Sequence, residues 1–254
     1  MLAPLTSDKP SMEEINALLK HLMWGVNAMI FRALGDTVVA GPFATMTIPE
    51  RAPWDDGNSG AKLLGSYEHE LHDTIAQTEW REPKVVVNVG CAEGYYAVGF
   101  AKKWNIPVYA WDTDQAALDL CADYAKRNKV GDKVTLRKGT KDPCDLRLTE
   151  TKGHRLCLFD CEGDELDLVD PLLCPELKRA DLIIECHDFL KPHCSRTLAD
   201  RLSSTHRVEM IRQTWPDFTR YRFLTPSVIS LLTVTEKRPI PCCWLVCWAN
   251  RRGD

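Results

Sequence analysis

The run Val85-Val-Val-Asn-Val-Gly-Cys-Ala-Glu-Gly-Tyr95 constrains the chain more than any other stretch. An apolar, valine-rich segment of strand length breaks into a turn marked by Gly90 and Gly94. Behind the turn, Tyr95–Trp104 carries the apolar spacing of a helix. A buried strand, a glycine turn and a helix open a parallel α/β unit, and the glycines let backbone approach a ligand closely where the strand ends.

The rest of the chain repeats that unit. Strands are expected at Val85–Val89, Val108–Trp111, Val134–Arg137, Leu156–Asp160, Leu182–Cys186, Val208–Gln213 and Cys243–Ala249. Helices fall between them at about Tyr95–Trp104, Gln115–Asn128, Glu165–Leu173 and Ser195–Ser203. This alternation predicts an α/β fold, a Rossmann-like, mostly parallel seven-stranded sheet with helices on both faces. Ahead of it, Ser11-Met-Glu-Glu14 reads as a capping box opening a helix from Met12 to Leu34. A short strand at Phe43–Ile48, a turn-rich stretch Pro53–Gly60 and a helix from Tyr67 to Gln77 are expected next. The division is residues 1–65 as a helical extension and substrate wall, and 66–254 as the sheet domain.

A dinucleotide site needs G-x-G-x-x-G so that a pyrophosphate can lie against bare backbone. Here Ala92 holds the second glycine position and Glu93 adds negative charge, which favours a ligand bearing a sulfonium and an ammonium over a pyrophosphate. Asp112 follows the loop by about twenty residues, at the end of the second strand, where an acid accepts hydrogen bonds from ribose hydroxyls. The plain alternative is that the glycines only turn the chain and Asp112 caps the helix beginning near Gln115.

These residues resemble the class I S-adenosylmethionine methyltransferases, whose loop reads acid-hydrophobic-Gly-x-Gly-x-Gly; Asn88 and Ala92 depart from it. Within that class the chain resembles the FkbM-type enzymes through Tyr67-Glu68, Asp160-Cys-Glu-Gly-Asp-Glu165 and Glu185-Cys-His187, with a weaker echo in Glu236-Lys-Arg-Pro239 and Trp244. The resemblance implies S-adenosylmethionine as cofactor. Gly90, Cys91, Ala92 and Gly94 would line its methionine part, with Asn88, Glu93 and Tyr95 completing the loop. Asp112 and Thr113 would take the ribose, Lys138, Gly139 and Thr140 the adenine, and Glu68 the amino group; Asp142 is a substitute for the acid missing after the third strand. Asp160 would face both cofactor and acceptor.

Methyl transfer is an in-line displacement that depends on alignment and exclusion of water. A hydroxyl acceptor also loses a proton, and His187, at the end of the fifth strand, is the candidate general base, with Asp160 to bind acceptor, orient the imidazole or hold cofactor. Asp160 as the cap of the following helix, and His187 as a structural histidine, are the plainer roles. Asp160, Glu162, Glu185 and Asp188 offer hard ligands for Mg2+, yet their spacing singles out no metal. Cys186-His187 and His193-Cys194 lack the C-x-x-C of a zinc site. Trp24, Trp54, Trp80, Trp215 and Phe218 are candidate walls of an acceptor pocket.

The expected activity is O-methylation of a small molecule. Methylation of nitrogen or carbon, a peptide acceptor, and an inactive cofactor-binding module are the alternatives. A net charge of -4 gives no basic field for a phosphate backbone, so no nucleic-acid partner is expected. Charged residues interrupt the apolar stretch Leu18–Leu34 and no basic-then-apolar leader opens the chain, so neither membrane insertion nor export is expected. The 11 cysteines, an odd number in a long chain, read as reduced cytoplasmic thiols. A homodimer sealed by the amphipathic N-terminal helix is a further expectation.

Overall fold

The computed structural model describes residues 11–49, 58–139, 153–214, 216 and 242–250. They form two compact units, one of residues 11–49, 58–67 and 216, the other of 68–139, 153–214 and 242–250.

In the first unit, α1 (Met12–Leu34) starts at the expected capping box. The Ser11 hydroxyl accepts from the Glu14 N–H at 3.2 Å and the Glu14 carboxylate accepts from the Ser11 N–H at 2.8 Å. After Gly35 the chain folds into a turn rather than the strand expected at Phe43–Ile48. A single antiparallel bridge joins Thr37 and Thr47, and Gly41 and Thr45 both take positive φ. Phe43, Met46 and Ile48 are buried by packing, not by a ladder, which is why an apolar run there imitates a strand. Helix α2 (Ser59–Leu64) packs on α1.

In the second unit, the helix expected at Tyr67–Gln77 is divided. Glu68 takes φ 45°, a 3-10 turn covers His69–Leu71, and α3 (His72–Trp80) follows. Then come β1 (Val85–Val89), α4 (Tyr95–Trp104), β2 (Val108–Asp112), α5 (Gln115–Arg127), β3 (Val134–Lys138), β4 (Arg155–Phe159), α6 (Glu165–Leu168), β5 (Asp181–Cys186), α7 (Cys194–Leu202), β6 (His206–Arg212) and β7 (Cys243–Ala249). The helix expected to run from Glu165 to Leu173 stops at Leu168, because Pro171 disfavours helical backbone in the residue before it.

The seven strands lie in the order β3-β2-β1-β4-β5-β7-β6, parallel except for β7, which is antiparallel to both neighbours. From β1 the chain steps outward to β2 and β3, then returns past β1 to β4 and β5. Right-handed crossovers made in opposite directions put their helices on opposite faces of the sheet. Accordingly, the buried cluster containing Val87, Val89, Phe159 and Ile184 draws Leu168, Leu198 and Leu202 from α6 and α7 and nothing from α4 or α5. Cover on both faces explains why β1 and β5 are buried along their full length.

The far end of the sheet is tied by one carboxylate. Asp181, 1% exposed, accepts from Arg81 Nε and, at 2.8 Å, from Arg81 Nη2; it also meets His154 Nε2 at 2.7 Å and accepts the Ala249 N–H at 3.0 Å. Burial works against its ionisation. The bonds from His154 and Arg81, with the Ala249 amide, outweigh it and hold the carboxyl below its ordinary 3.8.

Candidate functional site

The reversal of strand order between β1 and β4 leaves a crevice at their carboxyl ends, the place where open α/β sheets take ligands. Val89, Gly90, Ala92, Trp111, Asp112, Thr113, Gly139, Asp160, Cys161, Glu162, Asp164 and Leu168 line it. It encloses about 200 Å3, room for a ribose-sized portion of a ligand.

Two features build its floor. Gly90 has φ 75°, and a Cβ placed there would stand 1.6 Å from the carbonyl oxygen of Asp160, so only glycine lets the β1 and β4 exits approach this closely. The Gly90 and Cys91 amides both donate to the Trp111 carbonyl at 2.9 Å, which ties the loop to β2. Asp112 completes the tie: Oδ2 accepts the Ala92 N–H and Oδ1 the Asp114 N–H, each at 2.9 Å. The α5 cap is Asp114, whose carboxylate accepts the Ala116 N–H, so Asp112 is not spent on capping. One bond per oxygen leaves acceptor capacity on each for a ligand's hydroxyls.

Of the residues the sequence singled out, Gly90, Ala92, Asp112, Thr113, Gly139 and Asp160 thus lie on one wall system. Cys91, Glu93 and Tyr95 are buried and line none of it. The negative charge of Glu93, expected to repel a pyrophosphate, is therefore not presented to the crevice. Cys91 lies against Cys121, whose hydrogen bond, together with burial, pushes the Cys91 thiol up. Gly94 serves packing, since a Cβ there would stand 2.5 Å from Cys121 Sγ. Buried Glu68 accepts from the Tyr96 hydroxyl. Asn88 is 1% exposed, and neither of its side-chain polar atoms has a hydrogen-bond partner among the described residues. Thr140, Asp142, Trp54, Trp215, Phe218 and Glu236–Pro239 lie outside the described residues.

His187 stands beside the crevice wall, past the end of β5, with its side chain 4% exposed. Its Nδ1 lies 2.8 Å from Glu165 Oε1, and that oxygen also accepts the Cys161 and Gly163 amides at 2.9 and 3.3 Å. Glu165, not Asp160, is therefore the group that orients the ring. Burial opposes ionisation of Glu165, but the bond and charge of His187, with the Cys161 and Glu165 amides, hold its carboxyl below the ordinary 4.5. An ionised carboxylate only accepts, so Nδ1 carries the proton. For His187, burial opposes protonation; the Glu165 bond and the charges of Asp160, Glu165 and Glu162 outweigh it and raise the imidazole above 6.5. Nε2 faces Glu162 Oε2 at 3.4 Å, Asp160 Oδ1 at 3.8 Å and Glu185 Oε2 at 4.0 Å. Nor does Asp160 cap the helix after it: the residue at that end of α6 is Asp164. Asp188 does take a capping place, accepting the Ser195 N–H near the start of α7.

Sequence reading missed the orienting role of Glu165. Its signal was present in Asp160-Cys-Glu-Gly-Asp-Glu165, where Gly163 supplies the positive φ that lets the chain turn back and point Glu165 at the strand end. Trp111 and Leu168 carried no such signal.

Solved structures of similar fold include a proposed O-methyltransferase from Klebsiella pneumoniae, superposed with a TM-score of 0.50 at 11% identity over 91% of this chain and 99% of that one. The fold is that of the class I methyltransferases. A human methyltransferase 10 domain containing protein matches equally, with a TM-score of 0.50, 13% identity, and 89% and 96% of the two chains covered. In sequence, 88 residues are 33% identical to a ribosomal protein L11 methyltransferase of Exiguobacterium sibiricum; the match takes in 33% of this chain and 28% of that curated relative. No protein-family model matches the chain.

Proposed function

We propose that the chain is an S-adenosylmethionine-dependent methyltransferase of FkbM-like type that methylates a hydroxyl of a small molecule. The observation that carries the reading is Asp112, held by the Ala92 and Asp114 amides on the wall of the β1–β4 crevice with an acceptor position left on each oxygen. Bare backbone at Gly90 and Gly139 and the Trp111 side fit a nucleoside, and the unsatisfied amide of Asn88 at the end of β1 fits the charged amino-acid end. Thr113 would join Asp112 at the ribose and Thr140 would follow Gly139 at the base. Bound there, the cofactor supplies a methyl group on a sulfonium.

His187 is the proposed base. Glu165 fixes the ring and keeps the proton on Nδ1, which leaves Nε2 to take the acceptor's proton beside Asp160. The net charge of -4 supports a partner other than nucleic acid. No described helix is long and apolar enough to cross a membrane, and a cytoplasmic setting is the proposal that goes with the free cysteines. Leu18, Leu22 and Met29, exposed along α1, support a second copy of the chain as partner.

The test is calorimetric titration with S-adenosylmethionine and S-adenosylhomocysteine, with NAD as control. Binding of the first two, weakened at least tenfold in Asp112→Ala, supports the reading; binding of NAD alone overturns it. A second acceptor class, a peptide side chain, is favoured by the 88-residue likeness to a ribosomal-protein methyltransferase. Unchanged turnover in His187→Ala would favour it, or a nitrogen or carbon acceptor. Tight cofactor binding without transfer to any of a broad acceptor panel would identify a binding module, the outcome to which Asn88 and Ala92 point.

A further inference from the structure

His187 is the centre of a second arrangement that methyl transfer does not require. Its Nε2, on a ring 4% exposed, makes no hydrogen bond among the described residues, although carboxylate oxygens of Glu162, Asp160 and Glu185 stand 3.4, 3.8 and 4.0 Å away. Hydrogen bonds to a carboxylate are shorter, about 2.7–2.9 Å. Two atoms that each lie about 2.1 Å from one ion are instead separated by roughly 3.0 Å at a right angle, 3.4 Å at a tetrahedral angle and 4.2 Å across it. The observed separations fall within that range. The Asp160, Glu162 and His187 donor atoms lie within 4.8 Å of one another, and a second set, Glu185, His187 and Cys242, shares the same histidine.

The opposite side of the ring is built as metal-binding histidines are built. The Nδ1–H is donated to Glu165, fully buried and itself held by two backbone amides. A carboxylate in that position fixes the tautomer that leaves Nε2 as a donor of its lone pair, and raises its basicity. The carboxylates come from two strand exits, Asp160 and Glu162 after β4 and Glu185 within β5, so the fold and not one flexible loop brings them together.

We propose that Asp160, Glu162 and His187, with Glu185 beside them, bind a divalent first-row transition-metal ion, with Glu165 as the residue that positions the histidine. One imidazole with carboxylates selects Mn2+, Fe2+ or Co2+ over the soft ions that thiolates take. The site shares Asp160 and Glu162, both after β4, with the crevice that Asp112 closes on the other side. Binding of the ion stands apart from the methyl-transfer reading; its role rests on that reading. With the ion bound, Nε2 would serve as a ligand, and an acceptor hydroxyl held there would lose its proton to solvent as the new O–CH3 bond forms and the S–CH3 bond breaks; in the metal-free chain Nε2 remains the base of the methyl-transfer reading.

Mn2+ is the probe of choice, because the neighbouring Cys186, Cys194 and Cys243 thiols form a cluster that would take Zn2+ on its own account. Chelator-treated full chain is titrated with MnCl2, followed by calorimetry and by loss of the free Mn2+ electron paramagnetic resonance signal. One ion per chain is expected, with affinity lowered at least tenfold in Asp160→Asn and His187→Gln and about 10–100-fold in Glu165→Gln. Asp112→Ala should leave Mn2+ affinity unchanged. Circular dichroism and thermal unfolding of each variant separate lost binding from lost folding, and exposed Glu162→Gln, a surface change, gives a variant expected to fold whatever happens at the buried positions. Absence of Mn2+ binding to the folded chain, or equal binding by all these variants, overturns the site. S-adenosylhomocysteine titrated into the same samples reports separately on the cofactor reading.

Discussion

Asp181→Asn tests the forces that hold the sheet, at the end remote from the crevice. The carboxylate takes four contacts: two from Arg81, one from His154 and one from the Ala249 amide. Hydrogen bonds involving a charged group contribute about 1.5–3 kcal/mol each, so the gross figure is large, but burial of the carboxylate opposes it. Removing one member of a buried pair costs about 3–5 kcal/mol. Arg81 retains 25% side-chain exposure and can turn toward water, which places the expected loss near the lower bound, about 3 kcal/mol. For a chain of this size that is a fall in melting temperature of about 6–12 °C.

The pH dependence follows from the direction of the shift. The folded-state pKa of Asp181 lies below the unfolded 3.8, so its contribution is complete above 3.8 and is lost as pH falls through the lower, folded value. Arg81 and His154 face it directly, and His206, Cys157 and Cys247 lie within reach of its charge. Urea unfolding of the wild type and Asp181→Asn should differ by a constant amount between about pH 5 and 8, and by less below 3.8. A difference under about 1 kcal/mol at neutral pH, or one that grows on acidification, would refute this account. Asp181 and His187 are six residues apart along the strand direction, roughly 20 Å, so cofactor binding per folded molecule should not change.

Gly90→Ala places a methyl 1.6 Å from the Asp160 carbonyl and should cost several kcal/mol, whereas Gly139→Ala, also at positive φ but with no described residue within 4 Å, should cost only about 1 kcal/mol; comparative urea denaturation distinguishes the two. Asn88→Leu removes a buried amide without partners among the described residues, so the ligand-free chain should gain about 1–2 kcal/mol in thermal unfolding while S-adenosylmethionine affinity falls; a variant that binds cofactor normally removes Asn88 from the site. Arg201 donates to the Leu166 and Val169 carbonyls at 2.7 Å and secures the segment that carries Glu165. Arg201→Met should destabilise by about 1–3 kcal/mol and speed amide exchange in residues 165–169.

The sheet was legible because strands covered on both faces are continuous apolar runs, as Val85–Val89 and Cys243–Ala249 show. The same signal failed at Phe43–Ile48, where burial without a ladder gives an equally apolar run. Helix starts were legible where a side chain does the capping, as at Ser11. Helix ends were less so, as at Leu168, where Pro171 ends the segment earlier than its apolar spacing suggests. In the site, the glycine loop and Asp112 could be read from spacing, since a strand end fixes where each falls. Burial of Glu93 and Cys91 under the loop could not be read from spacing. It depends on which way each residue of a tight turn points, and Ala92 at φ 45° changes that direction.

Asp160 shows why the candidate site has two chemistries that must be separated. It leaves β4 at the point where Gly90 leaves β1, so the close approach of those two strands fixes its backbone. From there its side chain lines the crevice that Asp112 closes on the other side, and its Oδ1 also stands 3.8 Å from His187. A change at Asp160 therefore alters the cofactor wall and the histidine cluster together, and any loss it causes is ambiguous. Asp112 and Glu165 carry no such ambiguity. The first touches only the loop and crevice side, and the second only the histidine and the amides of its own turn. If the crevice binds the cofactor and the cluster acts on the acceptor, then Asp112 governs cofactor affinity and Glu165 governs the acceptor side. Asp160 and Glu162, which line the crevice and face His187 alike, are the positions through which the two are coupled.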